Sequence, residues 1–186
     1  CTRCLEIDPL YAKAWNSLGT SLTAREVATI AGVAYSRQGC YCRALEIEPT
    51  LGKAWFNLAT TISTRGTATV GGVSYDKQAC YARSLDTGAQ SADAWRSLAK
   101  ALTGGTTVTV QGTAYDRLAC YVRAVEIAPQ DVYAWKQLGY LMEGKRRTVV
   151  VSGVEYTARA CYVRSLEINP GCSSAWKNLS KLTQFK

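Results

Sequence analysis

Residues 10–49 read LYAKAWNSLGTSLTAREVATIAGVAYSRQGCYCRALEIEP, and variants of the same phrase fill 50–89, 90–129 and 130–170. Five tryptophans, each preceded by alanine, mark the beat: Trp15, Trp55, Trp95, Trp135 and Trp176, at steps of 40, 40, 40 and 41 residues. Pro9, Pro49, Pro129 and Pro170 each stand six residues before the tryptophan of an Ala-Trp pair, and Cys40, Cys80, Cys120 and Cys161 each precede a tyrosine. Rare residues held to one period define a tandem array, whose core forms between neighbouring units. The chain is therefore read as one array over 1–186. Residues 1–9 are the end of a second helix, four full repeats follow, and 171–186 form a terminal first helix.

Within the quoted unit, Ala12 to Leu22 carries Trp15, Leu18 and Leu22 at helical spacing. The column of Gly19 holds only small residues (Ala59, Ala99, Gly139, Ser180), which let another helix approach closely. This is helix A. Next comes an alternating stretch around Gly32, Gly72, Gly112 or Gly153, each the second residue of a two-residue turn flanked by β-branched residues. Pairing across that turn sets Ile30 opposite Val33 and Ala28 opposite Tyr35 on an apolar face. Thr29, Thr69 and Thr109 fall on the other face. Ser36, Asp76, Asp116 and Thr157 then stand as N-caps of helix B, which turns Cys40, Tyr41, Ala44 and Leu45 inward and stops at Pro49. Its outer face repeats Arg43 with Glu46, Arg83 with Asp86, Arg123 with Glu126, Arg164 with Glu167 and Arg3 with Glu6, each pair supporting the helix by about 0.2–0.5 kcal/mol.

Composition narrows the function classes. An apolar content of 47% with 19% charged residues is that of a folded chain, and no apolar run reaches the length of a membrane span. The chain opens partway through a repeat without Met, which reads as a window on a longer array and leaves localisation undetermined. Histidine is absent, removing the commonest general base and metal ligand, and no Ser or Cys nucleophile recurs beside a base, so the chain is read as not an enzyme and without cofactor. The net charge of +8 is spread over the repeats, apart from Lys145, Arg146 and Arg147, which favours a solvated surface over nucleic-acid binding.

The Ala-Trp-x-x-Leu-Gly of helix A and the Cys-Tyr-x-Arg-Ala-Leu-Glu-Ile-x-Pro of helix B resemble the tetratricopeptide repeat along the whole chain. The resemblance implies stacked helix pairs whose concave helix A surface binds peptides or partner proteins. The period departs from the family's roughly 34 residues, the excess lying at the hairpin. The fold class expected is thus an α+β repeat solenoid of helix pairs with one β-hairpin per repeat. Two strands span about 9.5 Å and helix layers advance by about 8–10 Å, so the hairpins are expected to pair edge to edge as a continuous antiparallel ribbon. Asp86-Thr87-Gly88-Ala89 replaces the usual Glu-Ile-x-Pro, so that helix B is expected to finish early. Leu182 is displaced by one position from the Leu22 column, which marks the last helix as prone to fray.

Candidate partner-binding residues follow from the resemblance: Lys13, Asn16, Lys53, Phe56, Arg96, Lys100, Lys136, Tyr140, Lys177 and Lys181, a face that turns basic toward the C-terminus. The family's clamp for C-terminal carboxylates is not supported: Asn57 and Asn178 fit one column, but Thr20, Thr60, Lys100 and Tyr140 occupy the column where asparagine is needed. Cys40, Cys80, Cys120 and Cys161 fill a small buried slot, one repeat apart and beyond disulfide reach. Cys1, Cys4, Cys42 and Cys172 are extras; Cys1 and Cys4 with Cys42 lack the paired knuckle of a zinc site, whereas a disulfide from Cys1 or Cys4 would follow from secretion. Asn178-Leu179-Ser180 is a lone sequon on a helix. Two functions compete: an interaction scaffold for a protein or acidic peptide, and a structural protein extending end to end into a fibre through unpaired helices and strand edges.

Overall fold

The computed structural model describes residues 2–88, 90–144 and 147–183. Cys1, Ala89, Lys145 and Arg146 lie outside the described residues. The chain divides into two compact units, Cys1–Gln90 with Val108–Ala114, and Ser91–Thr107 with Tyr115–Lys186.

The first unit begins with α1 (Thr2–Ile7) and α2 (Ala12–Ser21), then the hairpin β1 (Val27–Ile30) and β2 (Val33–Ser36), then α3 (Arg37–Ile47). The order repeats as α4 (Gly52–Thr61), β3 (Thr67–Val70), β4 (Val73–Asp76) and α5 (Lys77–Asp86). In the second unit lie α6 (Ala92–Ala101), α7 (Arg117–Ile127) and α8 (Val132–Met142), then β7 (Val149–Val151), β8 (Val154–Tyr156), α9 (Ala158–Ile168) and α10 (Ser173–Thr183). Between α6 and α7 runs the hairpin β5 (Val108–Val110) and β6 (Thr113–Tyr115), most of which belongs to the first unit. Helix A of each repeat is thus α2, α4, α6, α8 or α10, and helix B is α3, α5, α7 or α9.

Each helix B starts where its cap residue dictates. Ser36, Asp76, Asp116 and Thr157 have extended backbones and accept a bond from the backbone N–H three residues on, satisfying a donor left open by the first turn. Helix α3 stops at Ile47 because Glu48 precedes a proline, which disfavours helical geometry there. Helix α5, lacking that proline, ends at Asp86, one residue sooner than its counterparts, and Gly88 takes φ 90° beyond it.

The tryptophan beat has a three-way anchor. Trp15, Trp55, Trp135 and Trp176 donate their indole N–H to the carbonyl of Pro9, Pro49, Pro129 and Pro170 at 2.8–2.9 Å. Tyr35, Tyr75, Tyr115 and Tyr156 set their rings edge-on or tilted against Trp15, Trp55, Trp95 and Trp135, with centroids 4.6–4.8 Å apart. The hairpin tyrosine thereby ties β1–β2 to α2 and β3–β4 to α4 in the first unit, and β7–β8 to α8 in the second. Behind the ring, Ala54, Ala94, Ala134 and Ala175 are fully buried, so there is no room for a larger neighbour.

Helix B packs its Cys-Tyr pair inward, with Cys40, Cys80, Cys120 and Cys161 all at zero exposure. The small column of helix A faces these tyrosines: a Cβ on Gly19 would stand 2.7 Å from the Tyr41 ring, and one on Gly139 2.8 Å from the Tyr162 ring. Leu182 of α10 is half-buried and packs with Leu179 and Cys172 against Tyr162, Leu166 and Ala175.

The hairpin register is as expected: Ala28 pairs Tyr35 and Ile30 pairs Val33, with the same alignment in β3–β4. Both turn residues have positive φ (Ala31 48°, Gly32 79°; Gly71 56°, Gly72 82°), the requirement of a type I′ turn. Two expectations fail. The apolar face is buried only along the first strand: Ile30 is 4% exposed but Val33 52%. Nor do the described strands join into a continuous ribbon: among the described residues the hairpins form separate two-stranded sheets. The reason is where the first strand seats. In the first unit α3 packs against both β2 and β3, and α5 against both β4 and β5. A helix about 10 Å across therefore fills the interval that edge pairing would need to be about 4.8 Å.

Of the outer charge pairs, Arg43–Glu46, Arg123–Glu126 and Arg164–Glu167 form at 2.7–3.1 Å. Arg3–Glu6 and Arg83–Asp86 are not among the ion pairs of the described residues. Arg83 lies over the Trp55 ring instead, and Asp86 accepts the Gln111 backbone N–H, holding the β5–β6 turn.

Candidate functional site

In the first unit the helix A face is short of free polar groups. Lys13 and Lys53 are exposed. Asn16, however, accepts from Asn57 Nδ2 at 2.9 Å, joining α2 to α4, and Phe56 packs its ring 5.6 Å from that of Tyr81. These side chains serve helix-to-helix contact.

The second unit gathers charge. Arg96 is held between Asp93 and Asp131, the latter 3.1 Å away and only 10% exposed, so its charge is compensated internally. Asp131 also caps α8 through Ala134 N–H. Lys100 and Lys136 bracket one aromatic ring: their ammonium groups lie 4.4 and 5.2 Å from the Tyr133 centroid. Lys136 further donates to Ser174 Oγ at 3.1 Å. Tyr140 is 55% exposed, and Lys177 and Lys181 are exposed on α10.

Tyr121 lies beneath this face, fully buried. Burial first, and then the neighbouring Tyr133 hydroxyl, push its phenol up to about 12. Tyr162 is also raised, by burial and by its hydrogen bond to Glu143. Burial lifts the column thiols too, to about 11 at Cys40 and about 12 at Cys80, Cys120 and Cys161. Cys172 is lowered: burial would raise it, but Ser174, the Ala175 N–H and Lys136 outweigh that effect. The described cysteines are free thiols.

Sequence reasoning missed Tyr133 and Asp131. Tyr133 stands in the column of Lys13 and Lys53, where an aromatic on a solvent-facing helical position was the available signal. Asp131 was legible as an N-cap, but its second role needs Arg96, 35 residues away. Among the described residues no helix is long and apolar enough to cross a membrane.

Helix pairs joined through a Trp-x2-Leu face, a Cys-Tyr face and a terminal proline define the tetratricopeptide-repeat fold. The crystal structure of YrrB, a TPR protein with an unusual peptide-binding site, matches with a TM-score of 0.67 over 99% of this chain and 82% of that one, at 17% identity. No family model and no curated protein matches the sequence.

Proposed function

We propose that the chain is a non-catalytic protein-interaction scaffold, one array over 1–186, and that its helix A face binds an acidic peptide. The observation that carries this reading is the bracketing of Tyr133 by Lys100 and Lys136, beside the exposed Tyr140. Arg96 has its carboxylates already, whereas the two ammonium groups rest on a ring and a hydroxyl and keep charge to offer. An aromatic platform between cations accommodates a carboxylate-bearing extended chain. Lys177 and Lys181 continue this face in the second unit, and Lys13, Asn16, Lys53 and Phe56 hold the corresponding helix A positions, less charged, in the first. The peptide-binding site for which YrrB is described supports the same class of partner.

The test is fluorescence polarisation with a Glu-rich peptide against a Gln-rich one. Replacing Lys100→Glu and Lys136→Glu together should weaken the acidic peptide at least tenfold while leaving thermal unfolding in place. Equal affinity for both peptides, or none lost in the double variant, contradicts the reading.

The alternative is a structural protein extended end to end into a fibre. Light scattering at several concentrations separates the two: a constant single-chain mass supports the scaffold, and mass growing with concentration supports the fibre.

A further inference from the structure

Away from the helix A face, the second unit contains a cleft of about 300 Å³, the lower end of the range for small-ligand sites. Its floor is apolar: Leu102, fully buried, with Leu118 and Leu141 half-buried. Arg117 and Arg147 line it, and neither makes an ion pair among the described residues. Arg147 is held by donating to the Leu141 carbonyl at 3.2 Å. Arg117 lies near Tyr121, and its Nε is buried without a hydrogen-bond partner among the described residues. The single lining carboxylate, Asp116, has one oxygen engaged in capping α7 through Ala119 N–H. The cleft therefore sets two guanidinium groups over a leucine floor against one partly used carboxylate.

The wall differs from that of the first two repeats. Gly104 and Gly105 have φ of 61° and 78°, with open space where side chains would project. The matching positions in the first two repeats are Ala24-Arg25 and Thr64-Arg65, where none of the four has positive φ, whereas Gly144 matches Gly104 in the fourth repeat and has φ 68°. Left-handed backbone favours glycine, and here the pair leaves the cleft mouth unobstructed.

We propose that this cleft binds a small organic acid, its carboxylate on Arg117 and Arg147 and a short hydrocarbon body on Leu102, Leu118 and Leu141. Guanidinium groups suit carboxylates because their N–H donors match the planar oxygens. The proposal is independent of the peptide face.

Titration of the full chain with hexanoate, followed by ¹H–¹⁵N NMR, tests it. Saturable shifts are expected at the Gly104, Gly105 and Thr106 amides. Acetate, which has the same head without the hydrocarbon, should bind at least tenfold more weakly, and hexanol should give no saturable shift. Arg147→Gln, an exposed and structurally mild change, should weaken hexanoate severalfold, and adding Arg117→Gln at least tenfold. Acetate binding as tightly as hexanoate, hexanol binding equally well, or unchanged affinity in the double variant overturns the proposal.

Discussion

At the residue scale, the repeats act as each other's controls. Column mates Ala44, Ser84, Ala124 and Ser165 occupy one helix B position, and both serines are fully buried. Ser165 donates to the Val132 carbonyl, but Ser84 Oγ has no partner among the described residues. Burying an unpaired hydroxyl costs about 1–3 kcal/mol, so Ser84→Ala should raise stability by about 1 kcal/mol in urea unfolding. A loss of stability would show that Ser84 has a partner. The thiols give a pH prediction. Unfolded cysteines release their protons above about 9, while native Cys80, Cys120 and Cys161 hold theirs to about 12. Their contribution is complete below pH 9 and is lost as pH rises toward 12, because the native state then binds more protons than the unfolded one. Unfolding free energy measured at pH 8 and 10.5 should fall, and Cys120→Ala should reduce the size of that fall. A pH-independent stability over this interval would contradict the buried-thiol account. Cys172, with its lowered pKa, should alkylate ahead of all four column cysteines in a mass-spectrometric time course.

At the element scale, the turns and the small columns decide geometry. Ala31 holds φ 48° where repeat two has Gly71, and a left-handed non-glycine residue costs about 1–2 kcal/mol. Asn tolerates that region and favours type I′ turns, so Ala31→Asn should stabilise by about 0.5–1 kcal/mol in thermal unfolding, and a decrease would argue against the turn type. Conversely, Gly19→Val should cost about 2–3 kcal/mol, since its Cβ would meet both the Tyr41 ring at 2.7 Å and the Arg37 carbonyl at 3.1 Å. These local features were legible in the sequence: caps, turn glycines and strand register depend on residues within a few positions of one another. The separation of the hairpins was not. Whether β3 pairs with β2 or seats on α3 depends on which surface Ala68 and Val70 bury against, and that surface lies a whole helix earlier in the chain. The candidate site was half legible for the same reason. The lysine columns show in the sequence, but the compensation of Arg96 by Asp131 is a contact made in three dimensions.

At the scale of the whole molecule, repetition assigns most of the recurring residues to the shared architecture. Trp15, Trp55 and Trp135 use the proline carbonyl and the hairpin tyrosine in the same way, so these residues specify architecture. Function has to come from where the repeats differ, and they differ most on helix A: Asn16, Phe56, Arg96 and Lys136 occupy one column with four different chemistries. The most direct measurement is the NMR footprint of a Glu-rich peptide on the full chain. The account predicts shifts concentrated on α6 and α8, at Lys100, Tyr133, Lys136 and Tyr140. Shifts confined to the hairpin strands or spread evenly over the surface lysines would contradict it.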